Sequence, residues 1–266
     1  HIKPTMISDA EDLGIKHAAV NICLDTFIAT SGQKNSSSAY PYTYQGRQYW
    51  FLKSGCNEVD RQTKELARSN VIVSGILLLR QYGGGKVLVP PNARNTGKNY
   101  YGINTMDQEG LETLEALMHF LGDRYMNSNG KYGTIVNWIV GNEVNNYNDY
   151  NYMGKLSFNE YIDAYTRSFR VVSMALRSVY SKARVYISLD HLWNILQPHG
   201  KCYTSKSTLD AFAKRLKQEG DINWNLAFHP YPSPLTDPNF WNDNVTNSDN
   251  TKQVTMKNLS YLTNYV

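Results

Sequence analysis

The order of apolar and amphipathic segments along the chain predicts an α/β fold, a (β/α)8 TIM barrel with about six βα units present. Continuous apolar strands alternate with amphipathic helices, which is typical of a parallel sheet with helices outside it. No Gly-x-Gly-x-x-Gly turn follows the first strand, which disfavours a nucleotide-binding sheet. The 266 residues suit one large barrel. We therefore expect a single domain over residues 1–266, incomplete because the pattern stops where a seventh strand is due.

Six apolar segments are predicted as strands because each is a short apolar run bounded by turn residues. They are residues 17–24, 70–79, a short stretch near 100–104, 134–143, 183–191 and 224–232.

Amphipathic spacing predicts the helices between these strands, at about 58–69, 106–125, 159–180, 207–218 and 255–266. The second is the clearest, since Leu114, Leu117 and Leu121 fall on one face and Asp107 is placed to cap the start. Between the first strand and the first helix, Ser, Gly and Asn punctuation followed by alternating aromatics predicts a surface loop and a small hairpin around Gly46.

The composition bears on partners and cofactors. A net charge of +4 without a basic run disfavours nucleic-acid and membrane partners, and no segment approaches the roughly 20 apolar residues of a membrane span. Three isolated cysteines favour neither zinc nor a disulfide framework. Tyr is abundant, at 20 residues, and so is Asn. Aromatic faces and amides suit the apolar C–H faces and hydroxyl rim of a sugar.

Polar or ionisable side chains follow most of the predicted strands. Because the carboxyl ends of barrel strands meet at one mouth, where active sites form, these side chains are candidate site residues. They are Asn21, Asp25, Arg80, Asn104, Asn142, Glu143, Asp190, His191, Trp193, His229 and Tyr231.

Glu143 is the candidate general acid/base, since a carboxylate at the rim of a packed barrel suits proton transfer. A turn-capping or Arg-paired carboxylate is the alternative. Asn142 could bind the hydroxyl beside the reacting carbon. His229 and Tyr231 lie two apart and share a strand face, so Tyr231 could donate to a catalytic carboxylate and His229 contact a sugar hydroxyl. A turn stiffened by neighbouring prolines would explain the same residues.

The other candidates have equally plain alternatives. Asp190 and His191 could form a structural pair, Trp193 could offer a sugar-stacking face, and Arg80 could be an ordinary salt-bridged strand end. The polar run after Glu143 lacks the spacing of a calcium loop. We expect neither a metal nor an organic cofactor.

Two segments carry a family resemblance. "WIVGNEVN" resembles the fourth-strand signature of clan A glycoside hydrolases, and "LAFHPYP" resembles the end of their sixth strand. The whole chain is similar to a group of bacterial glycosidases of unassigned specificity. The resemblance implies that Glu143 is the acid/base, that Asn142 binds the 2-hydroxyl and that Tyr231 donates to the nucleophile. The clan's nucleophile is a Glu that ends strand seven, which would lie beyond Val266.

The sequence therefore predicts a retaining glycosidase acting on an oligo- or polysaccharide, with secretion or cell-surface display expected for a polysaccharide substrate. One alternative is a carbohydrate-binding barrel without catalysis. Another is a metal-dependent hydrolase that holds its ion with Asp25, Asp190, His191 and His229. The sequence leaves sugar, linkage and oligomeric state open.

Overall fold

The computed structural model describes residues 6–266, which contain seven strands and seven α-helices. The strands are β1 (His17–Cys23), β2 (Ala39–Tyr44), β3 (Arg47–Leu52), β4 (Ile72–Leu78), β5 (Asn137–Val140), β6 (Arg184–Leu189) and β7 (Asn225–Phe228). The helices are α1 (Ile7–Asp12), α2 (Lys53–Arg68), α3 (Gln108–Met126), α4 (Tyr147–Tyr150), α5 (Phe158–Val179), α6 (Ser205–Gln218) and α7 (Leu259–Tyr265). No helix among these residues is both long and apolar enough to cross a membrane.

Five strands form one parallel sheet in the order β1-β4-β5-β6-β7. Its centre is apolar: Leu77 pairs with Val140, which pairs in turn with Ile187 on the next strand. The predicted α/β class with a parallel sheet is confirmed. The sheet is not closed into a barrel, since no pairing among the described residues joins β7 to β1.

The predicted strand near residues 100–104 is wrong. β4 pairs directly with β5 over Ser74–Leu77, which leaves no place for a strand between them. The segment instead crosses the end of β4, where the Tyr101 N–H donates to the Leu79 carbonyl at 2.9 Å. Its other backbone hydrogen bonds are those of an isolated bridge to Tyr152 and one from the Asn104 N–H to the Leu88 carbonyl at 2.7 Å. Six βα units are therefore not found in the described residues.

The hairpin predicted around Gly46 is confirmed as β2 and β3, which pair antiparallel. Gln45 and Gly46 both have positive φ, +47° and +75°, the backbone of a two-residue turn that matches strand twist. The hairpin lies against α3, where the Tyr42 hydroxyl donates to Asp123 Oδ2 at 2.7 Å. The segment predicted as a surface loop thus contributes to the packing of the helical layer.

Helices α3, α5 and α6 begin near the residues that the sequence indicates, whereas α2 begins at Lys53, five residues before its predicted start, and α7 begins at Leu259, four residues after. Asp107 caps α3 by accepting the Gly110 N–H at 2.7 Å, as predicted. Ser157 and Glu160 form a reciprocal capping box at the start of α5. Trp138 of β5 and Phe169 of α5 are fully buried, so the core lies between the sheet and the helices.

A buried ion pair joins α2 to α3. Arg124 donates to both oxygens of Asp60, with N···O distances of 2.9 and 2.6 Å, and the Tyr125 hydroxyl donates to the same carboxylate at 2.9 Å. The side chains of Asp60 and Arg124 are only 10% and 6% exposed. Removing one partner would leave the other charge buried and uncompensated, which is more costly than losing the pair outright.

We predict that Asp60→Asn lowers the free energy of unfolding by about 3–5 kcal/mol, because Arg124 loses its counter-charge in a buried site. Glu58→Gln is the control: it removes an exposed carboxylate of the same helix that pairs with Arg61 and should cost under about 1 kcal/mol. Urea unfolding of both variants measures the difference. Equal stabilities of the two variants would contradict the role assigned to Asp60.

Candidate active site

The chain turns sharply after β5 and places Glu143 at the carboxyl end of the sheet. Gly141 has φ +80° and Glu143 has φ +41°, a left-handed conformation that side chains other than glycine rarely adopt. A Cβ on Gly141 would also lie 2.8 Å from Val144 Cγ1. Strained backbone of this kind costs about 1–3 kcal/mol per residue and clusters at functional sites.

Hydrogen bonds to the neighbouring strand hold this turn in place. The N–H of Glu143 donates to Ser188 Oγ at 3.1 Å, and the N–H of Val144 donates to the Ser188 carbonyl at 2.9 Å. Further along, Asn145 Oδ1 accepts the Asp190 N–H at 3.1 Å. Ser188 and Asn145 hold the candidate site in place, and the sequence analysis missed both. The available signal was a serine inside the apolar run of β6.

Glu143 is hydrogen-bonded to a histidine from a strand two places along the sheet. His229 Nδ1 lies 2.7 Å from Glu143 Oε1, and His229 Nε2 lies 3.5 Å from Ser188 Oγ. An ionised carboxylate only accepts, so Nδ1 carries the hydrogen when Glu143 is charged. The Glu143 side chain is 10% exposed. The carboxylate is therefore held in a fixed position while part of it remains accessible.

Tyr231 lies beside this pair. Its hydroxyl is 3.3 Å from His229 Nδ1. When Nδ1 donates to Glu143 it cannot also accept, which leaves the phenolic hydrogen free for another acceptor. Partial burial, together with the negative charge of Glu143, raises the pKa of Tyr231 to about 12. The hydroxyl is thus a hydrogen-bond donor at neutral pH.

A cavity of about 570 Å³ opens at this end of the sheet. Four predicted site residues line it, Asn21, Asn142, His229 and Tyr231. Tyr100 and Tyr150 line it as well, and the sequence analysis missed them because neither follows a strand of the sheet: Tyr100 lies in a loop and Tyr150 ends the short helix α4. The Asn142 side chain makes no hydrogen bond to any residue within 6–266. The volume is in the usual range for a small-molecule site.

Asp190 and His191 lie next to the site but are buried. The Asp190 carboxylate accepts from Leu192 N–H at 2.8 Å, Ser205 Oγ at 3.0 Å and Gln197 Nε2 at 3.2 Å. Burial raises the pKa of Asp190, against these hydrogen bonds. Burial lowers the pKa of His191, whose Nδ1 has no hydrogen-bond partner among the described residues. The Asp190 carboxylate therefore holds the loop after β6 in place.

Two predicted candidates form an ion pair that is not part of the cavity wall. The buried Asp25 carboxylate accepts from the Arg80 guanidinium, with Nη2···Oδ2 at 3.0 Å, and from the Arg80 N–H at 3.1 Å. This is the salt-bridged strand end that was the alternative interpretation of Arg80. Arg80 lines a neighbouring hollow together with Lys98 and Tyr101.

Two further candidates are used by the fold itself. Asn104 is fully buried and donates to the Val87 carbonyl at 3.0 Å and to Asp107 at 3.0 Å. Trp193 is also fully buried, with its ring edge-to-face against Tyr265 at 5.1 Å. The structure gives Trp193 no face open to a sugar, so the expected stacking role does not fit this placement.

The ligand set of the metal-hydrolase alternative is not assembled. Asp25 is paired with Arg80 instead of meeting Asp190, His191 and His229. Over residues 6–266, no group of three or more His, Cys, Asp or Glu side chains is arranged to hold a metal ion.

The entire chain, residues 1–266, matches the family of unknown function DUF5722. The chain belongs to this family. No curated protein matches it.

Solved glycosidases resemble the chain in fold. A glucosidase from Croceicoccus marinus superposes with a TM-score of 0.51 at 13% identity, over 84% of this chain and 39% of its own. An intracellular xylanase from Thermoanaerobacterium saccharolyticum superposes with a TM-score of 0.48 at 11% identity, over 85% of this chain and 61% of its own. A family 1 β-glucosidase from Thermotoga maritima superposes with a TM-score of 0.44 at 11% identity, over 72% of this chain and 38% of its own. The chain spans less than two thirds of each, and at these identities the likeness to the first shows a shared fold alone.

We predict that His191 makes stability depend on pH. Its pKa in the folded protein lies below the unfolded value of about 6.5, so the unfolded chain binds more protons as pH falls through that range. The contribution of neutral, buried His191 to the free energy of unfolding is complete above pH 6.5 and is lost as the pH falls below it. Thermal unfolding of His191→Gln should therefore lose less stability between pH 7.5 and 5.5 than the parent does. The control is His17→Gln, at an exposed position, and an identical pH slope in all three proteins would contradict the prediction.

Proposed function

We propose that the protein is a retaining glycosidase that acts on an oligo- or polysaccharide, with Glu143 as general acid/base. The observation that carries the proposal is the placement of Glu143: a carboxylate at the carboxyl end of β5, held by His229 beside a cavity. Asn142 and Tyr231 on the cavity wall supply an amide and a hydroxyl suited to sugar hydroxyls. The glycosidase folds found by comparison are consistent with it.

In this scheme the reaction is a double displacement. A carboxylate oxygen attacks the anomeric carbon while the glycosidic C–O bond breaks, and protonated Glu143 gives its proton to the departing oxygen. Ionised Glu143 then takes a proton from water, whose oxygen displaces the enzyme carboxylate. His229 positions Glu143, and Asn142 binds the 2-hydroxyl beside the reacting carbon. The scheme uses no metal or organic cofactor.

The second carboxylate must lie about 5–5.5 Å from the first in a retaining enzyme. Asp190 is buried and already accepts three hydrogen bonds. The outer edge of β7 is unpaired among the described residues, and Leu226 and Phe228 on it are only half-buried. A parallel strand added there would end at the same mouth. We propose that this strand comes from sequence downstream of residue 266 and carries the nucleophile.

One observation favours carbohydrate binding without catalysis as a second candidate. Among the described residues, the wall of the cavity contains aromatic, amide and imidazole groups and no carboxylate besides the adjoining Glu143. A wall of this composition would bind a sugar whether or not a nucleophile is supplied. Hydrolysis separates the two candidates.

We predict that Glu143→Gln in the full-length protein lowers kcat/KM on unactivated glycosides by about 10²–10⁴-fold, the usual contribution of a general acid. Glutamine keeps the size of the side chain and can still hydrogen-bond His229, so the unfolding midpoint should change little. Glu160→Gln is the matched control, since Gln also serves in the capping box there. Reducing-end release measures turnover.

A second variant tests the role more directly. In Glu143→Ala, an activated dinitrophenyl glycoside still forms the covalent intermediate, which then persists because no base activates water. Azide should restore turnover and give a glycosyl azide of retained configuration. Full activity of Glu143→Gln, or an inverted product, would refute the assignment.

A further inference from the structure

We infer that the cavity beside Glu143 continues into a cleft that presents the ammonium of Lys98 and binds an acidic sugar, a uronic acid residue of a polysaccharide. The inference deepens the proposed function and rests on it for the sugar, while the charge of the ligand follows from the cleft itself.

The cleft is continuous with the cavity through shared walls. Tyr100 and Tyr150 line both the cavity and a second hollow of about 370 Å³. Lys98 lines this second hollow and also a third, of about 620 Å³, which Arg80 borders as well. The rings of Tyr100 and Tyr150 lie 6.2 Å apart at the junction. A chain of sugars leaving the Glu143 cavity would therefore pass Lys98 before reaching Arg80.

Lys98 carries a positive charge with no carboxylate in direct contact. Its Nζ donates to the neutral Asn148 Oδ1 at 2.6 Å and lies 4.9 Å from the centre of the Tyr152 ring. No carboxylate of residues 6–266 lies within 4.0 Å of it. Asp149, the carboxylate that lines the second hollow, accepts from Asn148 Nδ2 at 2.8 Å and lies 3.3 Å from His199 Nε2, so it is turned to these groups and does not contact the ammonium. The ammonium of Lys98 is thus oriented by neutral groups and open to an anion.

Arg80 presents a fixed donor edge to the third hollow. Asp25, whose side chain is fully buried, binds Nε and Nη2 of the guanidinium, while Nη1 makes no hydrogen bond to the described residues. The Arg80 side chain is 47% exposed. Asp25 cancels the charge but fixes the plane of the guanidinium, which favours directional binding of a carboxylate or hydroxyl.

The far wall of the cleft is also ordered and suits a sugar. Gln81 and Asn95 bind each other reciprocally: Gln81 Nε2 donates to Asn95 Oδ1 at 2.6 Å, and the Asn95 N–H donates to Gln81 Oε1 at 2.7 Å. The Tyr82 ring beside them is 74% exposed. An exposed aromatic face and amides match a pyranose. The single ammonium of Lys98 suits a polysaccharide that carries one carboxylate on each sugar ring better than it suits a polymer with a run of phosphates.

The test compares acidic polysaccharides with their own neutral forms. Polygalacturonate, alginate and hyaluronan are each used directly and after chemical reduction of the carboxylates to hydroxymethyl groups, which keeps ring and linkage. Affinity electrophoresis of the full-length protein measures binding. We expect at least one acidic polymer to be retained about tenfold more strongly than its reduced form, the order of magnitude of one charge-assisted hydrogen bond. Lys98→Met should abolish this preference, and Lys98→Arg should keep most of it.

Lys64→Met is the control, because Lys64 also lies over a tyrosine ring, 5.4 Å from the centre of Tyr132, but is outside the cleft. Glu143→Gln should leave the preference unchanged. Preferential binding with no hydrolysis would support the cleft and count against the proposed function. Hydrolysis of neutral glycans without any preference for acidic polymers would support the proposed function and overturn the inference about the cleft. Equal retention of every pair, or a Lys98→Met protein that keeps the preference, overturns the inference.

Discussion

Parallel pairing of β5, β6 and β7 is the constraint on which the candidate site depends. Glu143 and His229 are 86 residues apart and meet at 2.7 Å because the strands that precede them run side by side in the same direction. Ser188 is the penultimate residue of β6, the strand between them, and contacts both. A one-residue slip of β6 would turn the Ser188 side chain to the other face of the sheet and release the backbone of Glu143. The register of an apolar sheet therefore fixes the polar geometry.

The strained turn at Glu143 is sustained by this surrounding structure. A left-handed backbone at a non-glycine residue persists only where several contacts over-determine it. Here the N–H groups of Glu143 and Val144 are both bound to Ser188, and Asn145 is bound to the next loop. The left-handed backbone is unfavourable in energy, but it fixes the Glu143 carboxylate in a position from which it does not need to reorganise. Fixed positioning of this kind is what electrostatic and proton-transfer catalysis require.

The parts of the site that could be predicted are those governed by strand periodicity. Asn142, Glu143, His229 and Tyr231 come directly after apolar strands, and they do converge at one end of the sheet. Other residues depend on loop paths that no local pattern encodes. Asn104 follows a segment that is not a strand, and Tyr100 reaches the cavity from that same segment.

Trp193 shows a different limit of prediction. A tryptophan after a strand is equally consistent with a sugar platform and with the core, and only tertiary packing decides. Here α7 closes over it, with Tyr261 and Tyr265 edge-to-face against the ring. Fold class survives such errors because it rests on the alternation of strands and helices as a whole. The predicted role of an individual residue does not survive such an error, since it rests on the placement of one side chain.

Local charge, and not the mild net charge of +4, governs what the cleft can bind. Charges farther apart than the Debye length, about 8 Å at physiological salt, are largely screened from each other. What an incoming sugar senses is therefore the ammonium of Lys98, which no carboxylate contacts directly, the carboxylate of Asp149 in the same hollow and the oriented edge of Arg80. Asp25 lets Arg80 act as a directional donor while preventing a second full charge from accumulating nearby. A cleft built this way discriminates by the position of one carboxylate on the sugar more than by total charge.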